Sequence, residues 1–327
     1  MSQMRQQITE AAEALFADTP DWARLAEAGF PLLLVPEDVG GTGGGIGGDW
    51  GDAFAVLRVA GANALPHPLG EAMLAAHLLA RADITQPPGL TVIGSGGGQW
   101  QGDRFTGWVA AVPWGRDADH VLAAIDTGAD DPVMLLLPRP TTVTPGQSPA
   151  GEPRDRLDYV ATSGLALGNA DHSLYGAFLR TAQSSGALDA ALTLAIDHVN
   201  ARIQFGKPLS KLQAVQQSLA VLAQECAATA IAGAAAAQAL DRGQGAMEMM
   251  AAKLRTNMAI HKGVALAHQV HGAIGFTQDY PLHRLTRRLM GWRSEFGGDR
   301  WAELLGAATM LETGQTLWTD ITRRSDQ

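Results

Sequence analysis

The sequence has little cysteine and no long, strongly apolar run. Its one cysteine, Cys226, cannot form a disulfide within the chain, which indicates a reducing compartment. The N-terminal stretch MSQMRQQITEAAEALF lacks the apolar core of a signal peptide. The longest aliphatic stretch, CAATAIAGAAAAQAL, is too short and too alanine-rich for a bilayer span, which takes about 20 strongly apolar residues. These absences predict a cytoplasmic protein without membrane insertion.

Charged residues are also scarce, at 17% of the 327 residues, whereas hydrophobic residues make up 46%. This balance is typical of a globular chain with a sizeable core. The formal net charge of -9 opposes binding to phosphate backbones, so nucleic acid is not an expected partner. A negatively charged substrate would need local basic groups to overcome this field.

Three regions of different character follow one another, and we predict domains at 1–86, 87–165 and 166–327. The first shows helical spacing broken by the glycine-rich stretch FPLLLVPEDVGGTGGGIGG. The second has short Val- and Thr-containing runs between turn residues, which predicts a small β unit. The third has long alanine-rich segments with apolar residues every three or four positions, which is typical of a four-helix-type bundle. The predicted fold class is therefore mostly α.

Two candidate motifs have weak support. Gly43, Gly45 and Gly48 fit a G-x-G-x-x-G pattern, but no alternating strands and helices follow, so a simple glycine loop is favoured over a dinucleotide-binding turn. His268 and His271 are spaced to share a helix face, yet no third metal ligand stands at a suitable distance. We predict no metal site.

The helical part contains a more informative corner. In Arg202-Ile-Gln-Phe-Gly-Lys-Pro-Leu209 a helix ends at an arginine, the chain turns at Gly206 and Pro208, and a new helix begins near Gln213. A guanidinium binds a diphosphate with two hydrogen bonds, and the amide of a glutamine side chain can hydrogen-bond to the edge of a purine. An ordinary junction between two helices explains the same spacing.

A second segment, from Gln269 to Arg284, has small residues at Gly272, Ala273 and Gly275. Small side chains permit the close approach of a ligand or another backbone. A helix that simply ends in glycine is the alternative interpretation.

Together the two segments resemble the acyl-CoA dehydrogenases, flavoproteins that oxidise acyl-CoA thioesters at the Cα–Cβ bond. Four patterns of the family are present, with Ala273 in place of one glycine. They are R-x-x-F-G at Arg202 to Gly206, a glutamine eleven residues after the arginine at Gln213, Q-x-x-G-G-x-G at Gln269 to Gly275, and P-x-x-R at Pro281 to Arg284. VPEDVGGTG (35–43) and FTGWVAAVPWGRDADHVLAA also resemble family segments. The resemblance implies FAD as cofactor, an acyl-CoA substrate and an oligomer of related chains. It implies FAD contacts at Arg202, Gln204, Phe205, Gly206, Leu209, Gln213, Gln269, Gly272, Ala273 and Gly275.

The chain departs from the family in two places. The middle unit is short, and the segments that cradle the flavin ring in the family are not recognisable. The family's catalytic glutamate aligns with Phe296, or in other members with Gly176, and neither residue can take a proton. Glu295, one residue before Phe296, is therefore the candidate catalytic base. A surface glutamate without a catalytic role explains Glu295 equally.

Three hypotheses follow from this combination. The chain is a subunit of an FAD-dependent acyl-CoA dehydrogenase, with Glu295 as its base. Alternatively it is a non-catalytic supporting subunit that completes the flavin site of a partner chain, as in bacterial hetero-oligomeric relatives. In the third hypothesis it is a helical assembly protein without flavin.

Overall fold

The computed structural model describes residues 3–38, 45–129, 131–169, 172–243, 245–314 and, beyond these, 316, 318, 319, 322 and 323. The chain passes from N-terminal helices through a β-sheet into a helical bundle. This architecture confirms the predicted fold class.

The described N-terminal part forms α1 (Gln3–Ala17), α2 (Trp22–Glu27), α3 (Trp50–Ala62) and α4 (Leu69–Arg81). A capping box begins α3: the Asp49 carboxylate accepts from the Asp52 amide, and the Asp52 carboxylate accepts from the Asp49 amide. Arg5 of α1 donates to both carboxylates, at 2.6 Å and 2.7 Å. The cap therefore also fixes α1 against α3.

A sheet follows, with β1 (Thr91–Gln101), β2 (Arg104–Pro113), β3 (His120–Asp126), β4 (Val133–Pro138), β5 (Thr142–Thr144), β6 (Arg154–Ser163) and β7 (Leu165–Asn169). Its strand order is β5-β6-β2-β1-β3-β4-β7, with β1 parallel to β3 and antiparallel to β2. Val109, Val121, Leu135 and Leu157, from four strands, share one apolar core. The short runs predicted to form a small β unit lie in these strands, and β5 is an edge strand.

The bundle consists of α5 (Ser173–Ala201), α6 (Gln213–Asp241), α7 (Ala246–His271), α8 (Leu282–Trp292) and α9 (Asp299–Thr313). Leu188, Leu222, Cys226, Ile260 and Leu289, from α5 to α8, pack into one core. Apolar residues three or four positions apart thus pack together as expected for a bundle, and Cys226 is buried among them. Among the described residues one helix, α6, is long and apolar enough to cross a membrane by length and composition. In the fold it packs against α5 and α7.

The buried lysine Lys253 holds the end of α8 to the first third of α7. Its ammonium donates to the carbonyl oxygens of Trp292 at 2.7 Å and Arg293 at 3.3 Å. The last carbonyl groups of a helix have no partner within the helix, and the Lys253 amine supplies donors to two of them. Burial and the charge of Arg180 lower the pKa of Lys253 to about 7. This contact positions the loop after α8, which carries Glu295.

The glycine-rich loop is only partly described, and Gly43 lies outside the described residues. The apolar run before the loop forms a 3-10 turn, Phe30–Leu32, rather than a strand. A Cβ atom at Gly45 would lie 1.9 Å from the carbonyl oxygen of Val35, so close backbone packing requires glycine there. These observations favour the loop interpretation, because a dinucleotide-binding turn follows a strand.

Candidate functional site

A cavity of about 780 Å³ lies where α5 and α7 end and α6 begins. We call it the arginine-corner pocket. Its lining includes six of the ten residues predicted to contact FAD, together with His198 and the first turn of α6. The six are Arg202, Gln204, Leu209, Gln269, Gly272 and Ala273. Two segments some 65 positions apart in the sequence thus meet at one site.

A short hairpin forms one side of the pocket. Strands β8 (Ile203–Gln204) and β9 (Lys207–Pro208) pair across a turn of Phe205 and Gly206. Both turn residues have positive φ, at 54° and 74°. That conformation is natural for glycine and strained for phenylalanine. The Phe205 ring is 84% exposed, so a strained backbone presents an aromatic side chain to the surroundings.

The end of α7 forms the opposite side. Gly272 ends the helix with a φ of 66°, which favours glycine, and a 3-10 turn, Gly272–Phe276, follows. Gly275 is buried, and a Cβ atom there would lie 2.9 Å from the Cβ atom of His271. Glycine is therefore needed at both positions to bring Gln269 and Ala273 to the pocket wall.

The predicted FAD contacts that do not line the pocket stand next to it in the chain. Phe205 and Gly206 form the tip of the hairpin, Gln213 is the first residue of α6, and Gly275 is buried behind Ala273. An exposed apolar rim consists of Ile203, Phe205, Ile274 and Phe276.

The donor set of the arginine-corner pocket suits a diphosphate and a base edge. Among the described residues that line it, none is acidic. Arg202 supplies a permanent positive charge, and the N-terminus of the 29-residue α6 favours a negative ligand. The amides of Gln204 and Gln269 both donate and accept. The residues present therefore fit the diphosphate and adenine part of FAD.

A second cavity, of about 490 Å³, lies between the sheet and the bundle. We call it the Glu295 cleft, and its lining includes Glu295, Phe296, Arg154 and Pro113. Phe296 packs against Gly176: a Cβ atom on Gly176 would lie 2.2 Å from the phenylalanine ring. The two positions that align with the family's catalytic glutamate are thus neighbours in space, and an aromatic ring fills the room between them.

Glu295 is held by two arginines that sequence reasoning missed. Arg180 donates to one carboxylate oxygen at 2.7 Å, and Arg154 donates to the other at 2.9 Å. Arg180 is almost completely buried and also pairs with Glu71 of α4. Arg154 in turn lies 3.4 Å from Glu152.

A chain of alternating charges results, which we call the ionic chain. It links the N-terminal helices, the bundle and the sheet. Its members in order are Glu71, Arg180, Glu295, Arg154, Glu152 and Arg288. The available sequence signal was Arg180 as the lone charged residue of the run YGAFLRTAQSSGA, because a buried arginine requires a partner.

The surroundings of Glu295 oppose its use as a base. Burial alone would raise the pKa of Glu295, but the positive charges of Arg180 and Arg154 outweigh burial and hold the pKa below its ordinary value. A carboxylate with a lowered pKa has a weaker affinity for a proton than an ordinary glutamate. In this arrangement Glu295 is a structural member of the ionic chain.

We expect Glu295→Gln to lower the free energy of unfolding by about 1.5–3 kcal/mol at pH 7, the usual contribution of hydrogen bonds to a charged group. The folded pKa of Glu295 is depressed, so its stabilisation is present above the ordinary pKa and is lost as the pH falls through the folded pKa. Urea titrations at pH 7 and pH 4 should therefore show a smaller difference between the two proteins at pH 4. A difference that does not change with pH contradicts this assignment.

The fold and the pocket define a class of protein. The N-terminal helices, central sheet and long helical bundle are shared with solved structures of acyl-CoA dehydrogenases. Residues 174–309 match the family model of the acyl-CoA dehydrogenase C-terminal domain. The helical bundle belongs to this family, and the resemblance found in the sequence is confirmed.

Relatives and solved structures agree with this assignment. The chain is 28% identical to the acyl-CoA dehydrogenase IpdE2 of Mycobacterium tuberculosis, over 83% of this chain and 80% of the relative. It is 36% identical to the acryloyl-CoA reductase (NADH) of Anaerotignum propionicum, but over 32% of this chain and 27% of that protein. The fold is similar to the ChsE4-ChsE5 complex of Mycobacterium tuberculosis, with a TM-score of 0.82 and 20% identity over 97% of this chain and 98% of that chain.

Proposed function

We propose that this chain is a subunit of an FAD-dependent acyl-CoA dehydrogenase and that it supports the flavin site of a related partner chain. Its family oxidises acyl-CoA thioesters, and this general activity supports the assignment to an acyl-CoA dehydrogenase. One observation carries the supporting role: Phe296 and Gly176 occupy the two positions of the family base, and Glu295, next to Phe296 in the chain, is bound by two arginines.

The bound FAD would accept a hydride from the substrate Cβ. In our proposal this chain contributes binding groups rather than a proton acceptor. Arg202 would hold the diphosphate, and Gln204 and Gln269 would hydrogen-bond the adenine or ribose. Removing a charged phosphate group from water requires such donors in fixed positions.

The partner is proposed from the surface around the pocket. Ile203, Phe205 and Phe276 are 64%, 84% and 73% exposed, and they belong to the hairpin and the 3-10 turn that flank the arginine-corner pocket. Large exposed apolar side chains around a polar pocket are typical of a protein interface. The similarity to the ChsE4-ChsE5 complex supports a hetero-oligomer of two related chains.

Catalysis by this chain remains the second candidate, because Glu295 does line the Glu295 cleft. Turnover of an acyl-CoA with an artificial electron acceptor separates the two functions. We expect no turnover by the chain alone and turnover after co-expression with a related chain that carries a glutamate at the family position.

The variant Glu295→Gln in the co-expressed complex serves as the second measurement. Turnover should persist in proportion to the folded protein, because the base belongs to the partner. Turnover by the chain alone that disappears in a folded Glu295→Gln variant contradicts the supporting role and establishes Glu295 as the base.

A further inference from the structure

His198 is a residue of the arginine-corner pocket that no family motif includes. It lies on α5 one turn before Arg202 and lines the pocket with it. Its ring stacks on the ring of His271, with centroids 4.8 Å apart and an angle of 26° between the planes. Tyr280 meets the His198 ring edge-on at 6.2 Å. The His198 ring therefore packs against two aromatic rings that limit its orientation.

The two stacked histidines differ in their hydrogen bonds. Nδ1 of His271 lies 2.7 Å from the carbonyl oxygen of Ala267, so this nitrogen carries a hydrogen and donates it. Nε2 of His271 lies 3.2 Å from the Tyr280 hydroxyl. Within the described chain, neither ring nitrogen of His198 has a hydrogen-bond partner. Both ring nitrogens of His271 thus form hydrogen bonds within the fold, whereas the ring nitrogens of His198 are available to a ligand.

The charges around His198 set its protonation. Burial, the neighbouring His271 and the positive charge of Arg202 lower the pKa of His198, in that order. Asp197 precedes His198 on α5 and acts on the hydroxyl of Tyr280. In the free chain these causes favour the neutral form of the His198 imidazole. A phosphate group next to Arg202 reverses the balance, because a negative charge favours the imidazolium.

We propose that His198 contacts the phosphate-bearing ligand of the arginine-corner pocket as an imidazolium, so that binding takes up one proton. This inference rests on the proposed function, since that function places a dinucleotide diphosphate in the pocket. The alternative is that His198 lines the pocket as a neutral imidazole and takes up no proton when the ligand binds. The two views differ in the effect of pH on binding.

ADP-ribose is a suitable probe, because it carries the diphosphate diester of FAD and its diphosphate keeps a constant charge between about pH 5 and 9. The titration of His198 is followed by NMR in the free chain and in the chain saturated with ADP-ribose. We expect the pKa of His198 to rise by about one unit on binding. By linkage, the affinity for ADP-ribose should then increase about tenfold from high to low pH.

Two histidine variants provide the comparison. His198→Gln should bind ADP-ribose with an affinity that no longer depends on pH, whereas His261→Gln, at an exposed position of α7, should keep the dependence. Adenosine, which lacks the diphosphate, should leave the His198 pKa unchanged.

The outcomes distinguish this inference from the proposed function. If ADP-ribose shifts the amide resonances of Gln269 and Ala273 but leaves the His198 pKa unchanged, the proton-linked contact is wrong, while the assignment of the pocket as the diphosphate site is kept. If millimolar ADP-ribose shifts no resonance of the pocket, the free chain does not bind the diphosphate and the proton-linked contact is wrong, whereas the supporting role is judged separately by FAD binding to the complex.

Discussion

Arg180→Met is expected to lower the free energy of unfolding by about 3–5 kcal/mol, the usual cost of removing one partner from a buried ion pair. Arg180 is almost completely buried, and it donates to Glu71, Glu295 and Gln183. Its loss leaves Glu71 in the interior without a counter-charge. Urea denaturation at pH 7 measures the change.

Arg139→Met is the matched control for this variant. Arg139 also pairs with an aspartate, Asp119, at 2.7 Å, but its side chain is 67% exposed. Surface ion pairs contribute about 0–1 kcal/mol, so this variant should be nearly as stable as the wild type. Equal losses in Arg180→Met and Arg139→Met would show that the ionic chain has no special part in stability.

Arg202→Ala is expected to weaken FAD binding by the complex of this chain and its partner by about 10–100-fold. The guanidinium is the one arginine in the described lining of the arginine-corner pocket. Hydrogen bonds from a charged donor contribute about 1.5–3 kcal/mol, and each 1.4 kcal/mol is a factor of ten in affinity. FAD affinity is measured by titration of the flavin-free complex, with flavin fluorescence as the signal.

Arg300→Ala is the control, since Arg300 lies on α9 with its side chain 79% exposed and lines none of the cavities described here. Gln269→Ala should weaken FAD binding less than Arg202→Ala, because a neutral hydrogen bond contributes about 0.5–1.5 kcal/mol. An unchanged affinity in Arg202→Ala contradicts the placement of the FAD diphosphate in this pocket.

The pocket was predictable from the sequence to a large extent. Arg202 and Gln269 belong to motifs with fixed local spacing, and helix ends at Ala201 and His271 follow from glycine and proline signals. Their meeting at one cavity required α5 and α7 to run parallel, with α6 antiparallel to both, which the resemblance supplied. The domain boundaries at 86 and 165 and the cytoplasmic location remain predictions.

The ionic chain was not predictable from local pattern. Glu71 and Arg180 are 109 positions apart, and Arg154 and Glu295 are 141 positions apart. Sequence spacing carries no information about such pairs, because they form only when three separate units pack together. Glu295 was for this reason interpreted as a free carboxylate, either a base or a surface residue, and its two arginine partners were missed.

The ionic chain also gives a physical reason for a supporting role. A catalytic glutamate must exchange protons, whereas Glu295 holds the loop after α8 to α5 and β6 through two arginines. Converting this carboxylate into a base would leave Arg154 and Arg180 partly unpaired in each turnover. The same residue is well suited to fixing the bundle against the sheet, which in turn fixes the arginine-corner pocket.

The flavin content of purified protein tests the central claim most directly. The visible absorption spectrum gives the ratio of FAD to chain, for the chain purified alone and for the chain purified with its partner. The proposed supporting role predicts a folded, colourless chain alone and one FAD for each pair of chains in the complex. One tightly bound FAD for each chain in the protein purified alone would contradict it.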